Sequence, residues 1–385
     1  MFNILTLNKI DEIGLNQFDK KKYAVADNHS APDAILVRSA AMHEMELPPT
    51  LKAISRAGAG VNNIPIEKCT EQGIAVFNTP GANANAVKEL AICALFLASR
   101  DVVNGINWSQ MLTGDDVAKQ VEKGKSNFAG PEIKGKTLGV IGLGAIGALI
   151  ANAAVKLGMT VIGYDPFITV DNAWLLSANV KRAENIKEIY EASDYLTLHV
   201  PLNDKTKHML NSEVLATVKP GIRILNFSRA GLVDDAAIVE AAETGIVARY
   251  ITDFPTPALL NQKNIIPIPH LGASTPESEE TCASMAAVEL IDYLETGNIT
   301  NSVNLPNCTL ERTGQQRICV IHENVPNMVG RITAILAQNH INIAGMLNKS
   351  RGNIAYTVID IDNEANGCLE KIAAINEVKT ARLIV

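Results

Sequence analysis

Short apolar runs alternate with helix-like stretches along most of the chain. Between residues 137 and 269 these runs are TLGVIG, TVIGYD, YLTLHVP, RILNFS, ARYITDF and IIPIPH. Consecutive parallel strands need a long crossover, usually a helix, so this alternation predicts a doubly wound parallel sheet. Two runs in the first hundred residues, AILVRS and LKAISRAG, predict buried parallel strands of a second such sheet.

Two longer stretches space their apolar positions three and four residues apart, which is typical of an amphipathic helix. They are residues 85–100 and residues 277–297. Residues 115–136 are rich in Gly and Lys and predict a connector, and the polar residues 298–316 predict a linker.

Residues 316–385 begin a smaller pattern of their own. RICVIHE, INIAGMLNKS, IAYTVIDID and KTARLIV predict strands, whereas VGRITAILAQNH and CLEKIAAINE predict helices. The resulting order, βαββαβ, is that of the ferredoxin-like unit. The whole pattern therefore predicts an α/β protein with two doubly wound, Rossmann-like domains and a C-terminal ferredoxin-like domain.

The composition removes several classes of partner. The 385 residues carry a formal net charge of −7, and the longest basic run, Lys20 to Lys22, continues into no basic stripe. We therefore expect no nucleic-acid partner. The six cysteines form neither a CxxC pair nor a Cys/His metal pattern, which predicts reduced thiols, no metal and a cytoplasmic location.

No segment has the pattern of a membrane or export sequence. The first residues, MFNILTLNKIDEIG, lack a basic start followed by a long apolar core, so no signal peptide is expected. Residues 137–155 carry no charge, but four glycines interrupt them in a pattern with a better explanation.

That explanation is a dinucleotide-binding turn. Gly142, Gly144 and Gly147 form GxGxxG between an apolar strand and an Ala-rich helix, and the next strand ends at Asp165. The first glycine makes the tight turn, the second lets the backbone approach a pyrophosphate, and the third lets the helix pack on the strand. A carboxylate at Asp165 can accept hydrogen bonds from ribose hydroxyls and would repel a 2′-phosphate, which predicts NAD rather than NADP.

Four motifs together identify a family. VIGLGAIG, LHVPLNDKTKHML, ILNFSRAGLVD and IPHLGAST occur in an order and spacing that closely resemble the D-isomer-specific 2-hydroxyacid dehydrogenases, and the tail resembles an ACT regulatory domain. The resemblance implies a discontinuous substrate-binding domain (residues 1–100 and 280–305), an NAD-binding domain (101–279) and an ACT-like domain (316–385). It further implies oxidation of D-3-phosphoglycerate to 3-phosphohydroxypyruvate, the entry to serine synthesis, by a homodimer or homotetramer.

The resemblance also assigns two catalytic residues. The family's arginine falls on Arg229, whose guanidinium can hold a carboxylate with two parallel hydrogen bonds. Its histidine falls on His270, and imidazole titrates near neutrality, so it can take the hydroxyl proton. At His199 we expect the backbone, not the ring, to line the cofactor. The cofactor contacts are assigned to Gly142, Gly144, Ala145, Ile146, Gly147, Asp165, His199, Val200, Pro201, Phe227, Ser228, Asp253, Gly272 and Ala273.

One feature departs from the family pattern. In most members a Glu pairs with the catalytic histidine, but its position falls on or beside Pro257, and no Asp or Glu lies between Asp253 and His270. Asp253 corresponds, to within one residue, to the family's strand-end Asp near the nicotinamide. Either a carboxylate from elsewhere reaches His270 or the ring works without one, and the sequence favours a working enzyme with a less tightly oriented histidine.

The resemblance places the substrate near three short motifs, VRSA, RAGAGV and PGANANAVKE. A phosphorylated substrate carries roughly −1.5 to −2 charge on its phosphate besides its carboxylate, so it needs several cations and amides. The candidates are Arg38, Ser39, Arg56, Gly58, Ala59, Gly60 and Asn83, with Lys125 from the connector as a further phosphate contact.

The C-terminal domain has its own expected ligand. By resemblance, small amino acids bind such domains between paired subunits, and His322, Asn324 and Asn342 would contact a serine effector. Two alternatives to the leading interpretation remain. One is another D-2-hydroxyacid dehydrogenase, such as a glyoxylate or hydroxypyruvate reductase, and the other is an NAD-sensing protein of the same fold that binds peptides without turnover.

Overall fold

The computed structural model describes residues 1–365 and 367–385. The chain divides into two compact units: residues 1–83 together with 276–385 form the first unit, and residues 84–275 form the second. No helix in the described part of the chain combines the length and the apolar character that crossing a membrane would require.

The strands in chain order are β1 (Phe2–Leu7), β2 (Tyr23–Ala26), β3 (Ala34–Val37), β4 (Ala53–Arg56), β5 (Ala75–Asn78), β6 (Thr137–Ile141), β7 (Thr160–Tyr164), β8 (Val180–Arg182), β9 (Tyr195–Leu198), β10 (Ile222–Asn226), β11 (Val247–Thr252), β12 (Ile265–Pro267), β13 (Gln316–Glu323), β14 (Ile343–Arg351), β15 (Ile354–Ile361) and β16 (Val378–Ile384). The helices are α1 (Glu12–Leu15), α2 (Ile66–Glu71), α3 (Ala84–Ser99), α4 (Val102–Gln110), α5 (Val117–Gly124), α6 (Ala145–Lys156), α7 (Val170–Leu175), α8 (Ile186–Ala192), α9 (Ser212–Leu215), α10 (Asp235–Glu243), α11 (Pro276–Thr296), α12 (Met328–Gln338) and α13 (Cys368–Ala373). Short 3-10 turns lie at Lys125–Phe128, Ala230–Leu232 and Pro257–Leu259.

The first unit contains the N-terminal parallel sheet, in the order β2-β1-β3-β4-β5. Residues on one face of this sheet, including Ile4, Leu36 and Phe77, share a buried core with Ala286 and Leu290 of α11. Burial of strands on both faces explains why β3 is a continuous apolar run rather than an alternating one.

The C-terminal segment forms an antiparallel sheet in the order β14-β15-β13-β16, with α12 and α13 between its strands in sequence. This is the predicted βαββαβ topology, and the predicted fold class is confirmed as a whole. One face of the sheet, with Ile318 and Val320, packs on Ile332 of α12. The other face, with Ile321 and Val358, belongs to the same core as α11.

Polar contacts reinforce the attachment of the C-terminal sheet to α11. Arg317 is fully buried and pairs with Asp360 through two bonds of 2.6 and 2.9 Å. The same guanidinium donates to the backbone oxygens of Thr296 and Leu310, both at 2.8 Å. The hydroxyl of Tyr356 donates to the backbone oxygen of Gly297 at 2.7 Å. The C-terminal end of α11 is therefore anchored by a buried ion pair whose remaining donors are satisfied.

The first half of the segment predicted as a linker packs in the first unit. Ile299, Leu305 and Cys308 are buried in the core that contains α11. Asn304 accepts from the backbone NH of Val76 at 2.9 Å and donates to the backbone oxygen of Ile74 at 2.9 Å. The prediction of a polar linker is wrong for residues 299–308, where Asn304 satisfies backbone groups in and beside the edge strand β5, whereas residues 309, 311–313 and 315 are exposed.

The second unit contains the larger parallel sheet, in the order β12-β11-β10-β9-β6-β7-β8. The strand order reverses between β6 and β9, and in open α/β sheets ligands bind at the carboxyl ends of strands beside such a reversal. The resemblance implies a substrate-binding domain that runs to residue 100 and so includes α3. In the structure α3 lies in the second compact unit, where Val87, Leu95 and Ala98 pack in one core with Leu138 and Tyr195.

Candidate active site

The carboxyl ends of neighbouring strands in the second unit bring the predicted cofactor and catalytic residues to one edge of the sheet. Gly142 follows β6, His199 follows β9, Arg229 follows β10, Asp253 follows β11 and His270 follows β12. These strands are consecutive neighbours in the sheet. Residues that are far apart in sequence therefore lie along one edge.

The glycine-rich turn has the geometry that its sequence predicts. Gly142 adopts φ +90, and a Cβ atom at this residue would lie 2.3 Å from the backbone oxygen of His199. A Cβ atom at Gly147 would lie 1.9 Å from the backbone oxygen of Gly142. Apart from its chain neighbours, no heavy atom of the described residues lies within 4 Å of the corresponding position at Gly144, so the space above the turn is open.

The start of α6 presents free backbone donors at this turn. Gly144 is the N-cap of the helix and, among the described residues, makes no side-chain capping bond, so Ala145 and Ile146 begin a helix whose NH groups can bind an anion. Asp165 is fixed beside the turn, because its two oxygens accept from the backbone NH groups of Leu143 at 2.9 Å and Phe167 at 2.8 Å. These residues fit a dinucleotide: the amides would hold its pyrophosphate and Asp165 its ribose.

His199 cannot act as an acid or base in the ordinary pH range. Its ring is hydrogen-bonded to the hydroxyl of Thr197 at 2.8 Å, and burial lowers the pKa of the imidazole to about 3. The backbone NH of His199 binds the backbone oxygen of Ile141 at 2.7 Å, continuing the β6–β9 ladder. That the backbone of His199 lines the cofactor stays a prediction. Val200 and Pro201 follow, and the backbone oxygen of Val200 accepts from the hydroxyl of Ser228 at 2.7 Å.

Asn226 shapes the turn before the predicted catalytic arginine. It is fully buried at the end of β10, and its amide donates to the backbone oxygen of Arg229 at 2.9 Å. Its side-chain oxygen accepts from the backbone NH of Ser228 at 3.2 Å. Sequence reasoning missed this residue, although an Asn closing an apolar strand was the available signal. The next residue, Phe227, is buried in the core of the second unit.

Arg229 is exposed beyond this turn. In the structure its guanidinium donates to the backbone oxygen of Ser228 at 2.6 Å. This local contact occupies one donor of a group that has five, so the fork remains able to grip a carboxylate.

His270 stands over a buried carboxylate. Its Nδ1 lies 3.5 Å from Oδ2 of Asp253, and the exposed fractions of the two side chains are 65% and 1%. The ring also contacts Phe254, with ring centroids 4.9 Å apart. Gly272 lies close to the same carboxylate, since a Cβ atom there would be 3.2 Å from Oδ2 of Asp253. Ala273 follows in the same loop.

The charge state of Asp253 depends on its neighbours. Burial is the strongest influence and raises the pKa of its carboxyl group, while the positive charge of His270, the backbone of Gly272 and the charge of Arg229 act less strongly in the opposite direction. Neither side-chain oxygen has a hydrogen-bond partner within normal geometry among the described residues. A buried acid of this kind is an expensive group to keep, and such groups concentrate at functional sites.

Two of the predicted substrate residues meet in the first unit. Nε of Arg56 donates to the backbone oxygen of Arg38 at 2.9 Å. The guanidinium of Arg38 pairs with Glu279 of α11 at 2.5 Å. A Cβ atom at Gly58 would lie 2.6 Å from Nη1 of Arg56, so this glycine lets the guanidinium lie over the loop. Gly60 is close to the same group.

The other substrate candidates have local roles in the structure. The backbone NH of Ser39 donates to the side chain of Asn8 at 3.1 Å, and the backbone oxygen of Ala59 accepts from the amide of Asn78 at 2.5 Å. Asn83 is half-buried at the end of the N-terminal part of the first unit. Lys125 belongs to the second unit and pairs with Glu122 at 2.5 Å. Sequence reasoning missed Asn78 and Glu279, whose contacts come from distant parts of the chain.

The three predicted effector residues do not converge within one chain. The ring of His322 is buried and hydrogen-bonded to the backbone of Glu323 and to Thr357, both at 2.8 Å. Asn324 donates to the backbone oxygen of Gly352, at the turn of the β14–β15 hairpin. Asn342 donates to Asp362 at 2.5 Å, at the hairpin's other end. A nine-residue strand separates the two ends by about 30 Å.

Residues 101–272 match the family described as "D-isomer specific 2-hydroxyacid dehydrogenase, NAD binding domain". The prediction that NAD is the cofactor is confirmed by this match. In the part of the chain that is described, no group of three or more His, Cys, Asp or Glu side chains is arranged to hold a metal ion.

Two curated relatives show how far the similarity extends. D-3-phosphoglycerate dehydrogenase of Haemophilus influenzae is 30% identical over 383 residues, which cover 95% of this chain and 89% of that protein. The enzyme of the same name from Methanocaldococcus jannaschii is 34% identical over 319 residues, or 80% of this chain. The chain spans only 58% of the length of the M. jannaschii relative.

The chain is also similar to a solved structure. The chain is similar to the NAD⁺-bound 3-phosphoglycerate dehydrogenase of Entamoeba histolytica, with a TM-score of 0.61 and 26% sequence identity. The similarity covers 79% of this chain and 98% of that one.

Proposed function

Because the chain belongs to the D-isomer-specific 2-hydroxyacid dehydrogenases, we propose that it oxidises D-3-phosphoglycerate to 3-phosphohydroxypyruvate with NAD as hydride acceptor. The observation that carries the proposal is the row of strand ends in the second unit. It aligns the dinucleotide turn after β6 with Arg229 after β10 and His270 after β12. Two arginines that meet in the first unit, Arg38 and Arg56, support a phosphorylated substrate.

Arg229 holds the substrate carboxylate. A guanidinium keeps its charge throughout the ordinary pH range and can bind both carboxylate oxygens at once, so it fixes the orientation of C2. It also polarises the developing C2 carbonyl oxygen. Asn226 contributes indirectly, because its two hydrogen bonds to the Ser228–Arg229 backbone set the direction of the turn.

His270 exchanges the proton. The C2–H bond breaks as hydride leaves, the O–H bond breaks as the proton passes to the imidazole, and the C2–O double bond forms. When bound, the nicotinamide supplies the hydride acceptor. Reduction of the keto acid reverses each step, with His270 returning the proton.

The phosphate group selects the substrate. Arg38 and Arg56, with the backbone amides of the loop that contains Gly58 and Gly60, would supply the positive charge that a phosphate needs. Lys125 is a further candidate from the second unit. Glu279 holds Arg38 in the structure, so the incoming phosphate has to compete with this carboxylate.

The test is a substrate comparison with the full chain. NADH oxidation is followed with 3-phosphohydroxypyruvate, hydroxypyruvate, glyoxylate and pyruvate at equal concentrations. We expect kcat/KM to be at least a hundredfold higher for the phosphorylated substrate, since several charged contacts discriminate strongly. Glyoxylate or hydroxypyruvate as the preferred substrate would replace this proposal with a reductase.

A matched pair of variants tests the phosphate contacts. Arg38→Gln and Arg56→Gln should raise KM for 3-phosphohydroxypyruvate at least tenfold and leave the kinetics with unphosphorylated hydroxypyruvate nearly unchanged. Lys52→Gln, at a cation directly before β4 that pairs with Asp33, is the control. Equal losses on both substrates would show that the arginines do not recognise phosphate. NADH binding without turnover of any 2-keto acid would favour the peptide-binding alternative.

We also propose that serine regulates the chain by binding between two copies. Strand β14 lies at the open edge of its sheet and can pair with a second β14. Since Asn324 and Asn342 lie at opposite ends of the hairpin, a ligand that contacts both would need one residue from each copy. Serine titration should reduce the rate in the full chain, and Asn324→Ala should remove this effect without changing the rate in its absence. No binding of serine in calorimetry would end this proposal.

A further inference from the structure

We propose that Asp253 is the carboxylate that positions His270, in place of the Glu that this chain lacks. The inference rests on the proposed dehydrogenase function of the same site. It assigns to Asp253 a role different from a contact with the nicotinamide. Asp253 is a positioning residue, because it acts through the imidazole rather than on the substrate.

The geometry favours this pairing. Oδ2 of Asp253 lies 3.5 Å from Nδ1 of His270, and this is the one ion pair of His270 among the described residues. The distance is slightly long for a hydrogen bond, as is common before substrate is bound. Pro257, at or beside the position of the usual Glu, is exposed and begins a 3-10 turn, so it offers no acidic group to the ring.

The burial of Asp253 also favours its pairing with His270. The side chain is only 1% exposed, and neither oxygen has a hydrogen-bond partner in normal geometry within the described part of the chain. Buried carboxylates without partners are rare and need an explanation. A protonated His270 supplies one, because it adds a positive charge and an N–H donor next to the acid.

Among the described residues, Arg229 and Tyr250 also interact electrostatically with Asp253. Arg229 acts on Asp253 as a second positive charge, and the backbone of Gly272 approaches from the loop after His270. Phe254, which follows Asp253 in sequence, packs against the imidazole with ring centroids 4.9 Å apart. One short segment therefore supplies both the acid and the aromatic wall of the histidine.

The consequence for the reaction follows from the two ring nitrogens. An Nδ1–H group directed at Asp253 leaves the Nε2 lone pair free to accept the hydroxyl proton. The carboxylate then stabilises the imidazolium that forms when the proton arrives. Asp253 follows β11 directly, so the strand fixes the backbone from which the carboxylate reaches the ring.

A direct test uses nitrogen NMR of the labelled full chain, with His270→Gln to assign the signal. In the native chain we expect the neutral His270 to carry its proton on Nδ1. In Asp253→Asn we expect its titration midpoint to fall by about one pH unit, because the stabilising charge is lost. Asp235→Asn, which removes a carboxylate bonded to Thr256 in the same unit, is the matched control and should leave the midpoint unchanged.

Two results would overturn the inference. One is a neutral His270 protonated mainly on Nε2 in the native chain, a measurement that needs no variant. The other is an unchanged midpoint in a folded Asp253→Asn. Neither readout depends on turnover, so the inference can fail or succeed independently of the proposed reaction.

Kinetic measurements then distinguish a positioning role of Asp253 from a purely structural one. In Asp253→Asn we expect kcat for oxidation to fall about tenfold to a hundredfold. The acid limb of its pH profile should move to lower pH, while KM for NAD and the thermal midpoint stay within error. A loss of kcat accompanied by a lower melting temperature and an unmoved pH profile would mean that Asp253 is structural.

Discussion

At the scale of single residues, Arg229 shows how much depends on the shape of a charged group. Its turn is held by Asn226, and its guanidinium rests on the backbone oxygen of Ser228. A lysine at this position would keep the charge but lose the planar fork that binds both oxygens of a carboxylate. Charge alone would then have to orient the substrate.

We therefore expect Arg229→Lys to lower kcat/KM for the keto acid about a hundredfold, with NADH affinity unchanged. The reason is that a carboxylate held by a single ammonium is less strictly oriented. Steady-state kinetics with NADH fluorescence titration makes the comparison, and Arg182→Lys, at an exposed site on β8, is the control. Equal activity of the two variants would contradict the assignment of Arg229.

A second residue, Glu289 of α11, destabilises the folded state when its buried carboxyl group is ionised. It is 8% exposed, accepts from the amide of Asn301 at 2.8 Å and from the hydroxyl of Ser55 at 3.4 Å, and burial raises its pKa to about 8. A raised pKa in the folded state means that the protonated form is favoured there. The contribution of the protonated Glu289 side chain to the free energy of unfolding is fully present below about pH 4.5 and is lost as the pH rises towards 8.

Glu289→Gln should consequently raise the melting temperature at pH 9 by several degrees and have little effect at pH 5. Each unit of pKa shift corresponds to about 1.4 kcal/mol, and 1 kcal/mol shifts the melting temperature of a domain this size by roughly 2–4 °C. Calorimetry at the two pH values measures the difference. Glu277→Gln, an exposed change on the same helix, should show no such dependence, and a pH-independent effect of Glu289→Gln would refute the explanation.

At the scale of elements, the sequence was most informative where one local rule decides the structure. The strands of the second unit follow from short apolar runs, and the turn at Gly142 follows from steric limits within a few residues. The pairs Asp253–His270 and Arg38–Glu279 were not predictable in this way. The second pair joins residues 241 positions apart, and its formation depends on how α11 packs on its sheet.

The same reasoning applies to two elements whose surroundings the sequence does not specify. Residues 298–316 look like a linker because polar side chains are common there, yet Asn304 uses its amide to satisfy buried backbone groups of β5 and its neighbours. Helix α3 was identified from its apolar spacing, but spacing does not show which of two cores will accept that apolar face. The choice of core is a property of tertiary packing.

The dinucleotide turn allows a test that distinguishes binding from folding. Gly144 has open space where a Cβ atom would lie and a negative φ, so alanine fits the unliganded turn. That methyl group would stand where a pyrophosphate has to approach the backbone. We expect Gly144→Ala to weaken NADH binding at least tenfold and to leave the melting temperature within about 1 °C.

Gly147→Ala is the informative contrast to this variant. Its methyl group would meet the backbone oxygen of Gly142 at 1.9 Å, so helix and turn would have to move apart. It should lower both the melting temperature and NADH affinity. Fluorescence titration and thermal unfolding, measured on the same samples, distinguish the two effects. Unaltered NADH binding by Gly144→Ala would show that the turn does not contact the cofactor.

At the scale of the whole molecule, the C-terminal sheet belongs to the folding unit that contains the N-terminal sheet. Tyr293 and Leu294 of α11 lie in one core with Tyr356 and Val358 of β15. The guanidinium of Arg382 stacks on Tyr293, with 3.9 Å between its carbon and the ring centroid. Loss of the sheet would expose these side chains of α11.

A chain ending at residue 311 should therefore be much less stable in its first unit. Exposure of a large buried apolar side chain costs about 1.5–3 kcal/mol, and several would be exposed together. We expect the thermal transition of the first unit to fall by more than 10 °C, or the shortened chain to aggregate. The second unit, with NADH bound, should melt as in the full chain and serves as the internal control. An unshifted first transition would show that the C-terminal sheet is dispensable.

The contacts of Arg317 limit the positions at which the C-terminal segment of this chain can be exchanged with that of a relative. This one guanidinium joins Asp360 of the C-terminal sheet to backbone oxygens of Thr296 and Leu310. An ACT-like segment exchanged with a relative would bring its own sheet face but not the matching end of α11. Successful chimaeras should therefore have their junctions before α11, so that helix and sheet are inherited together.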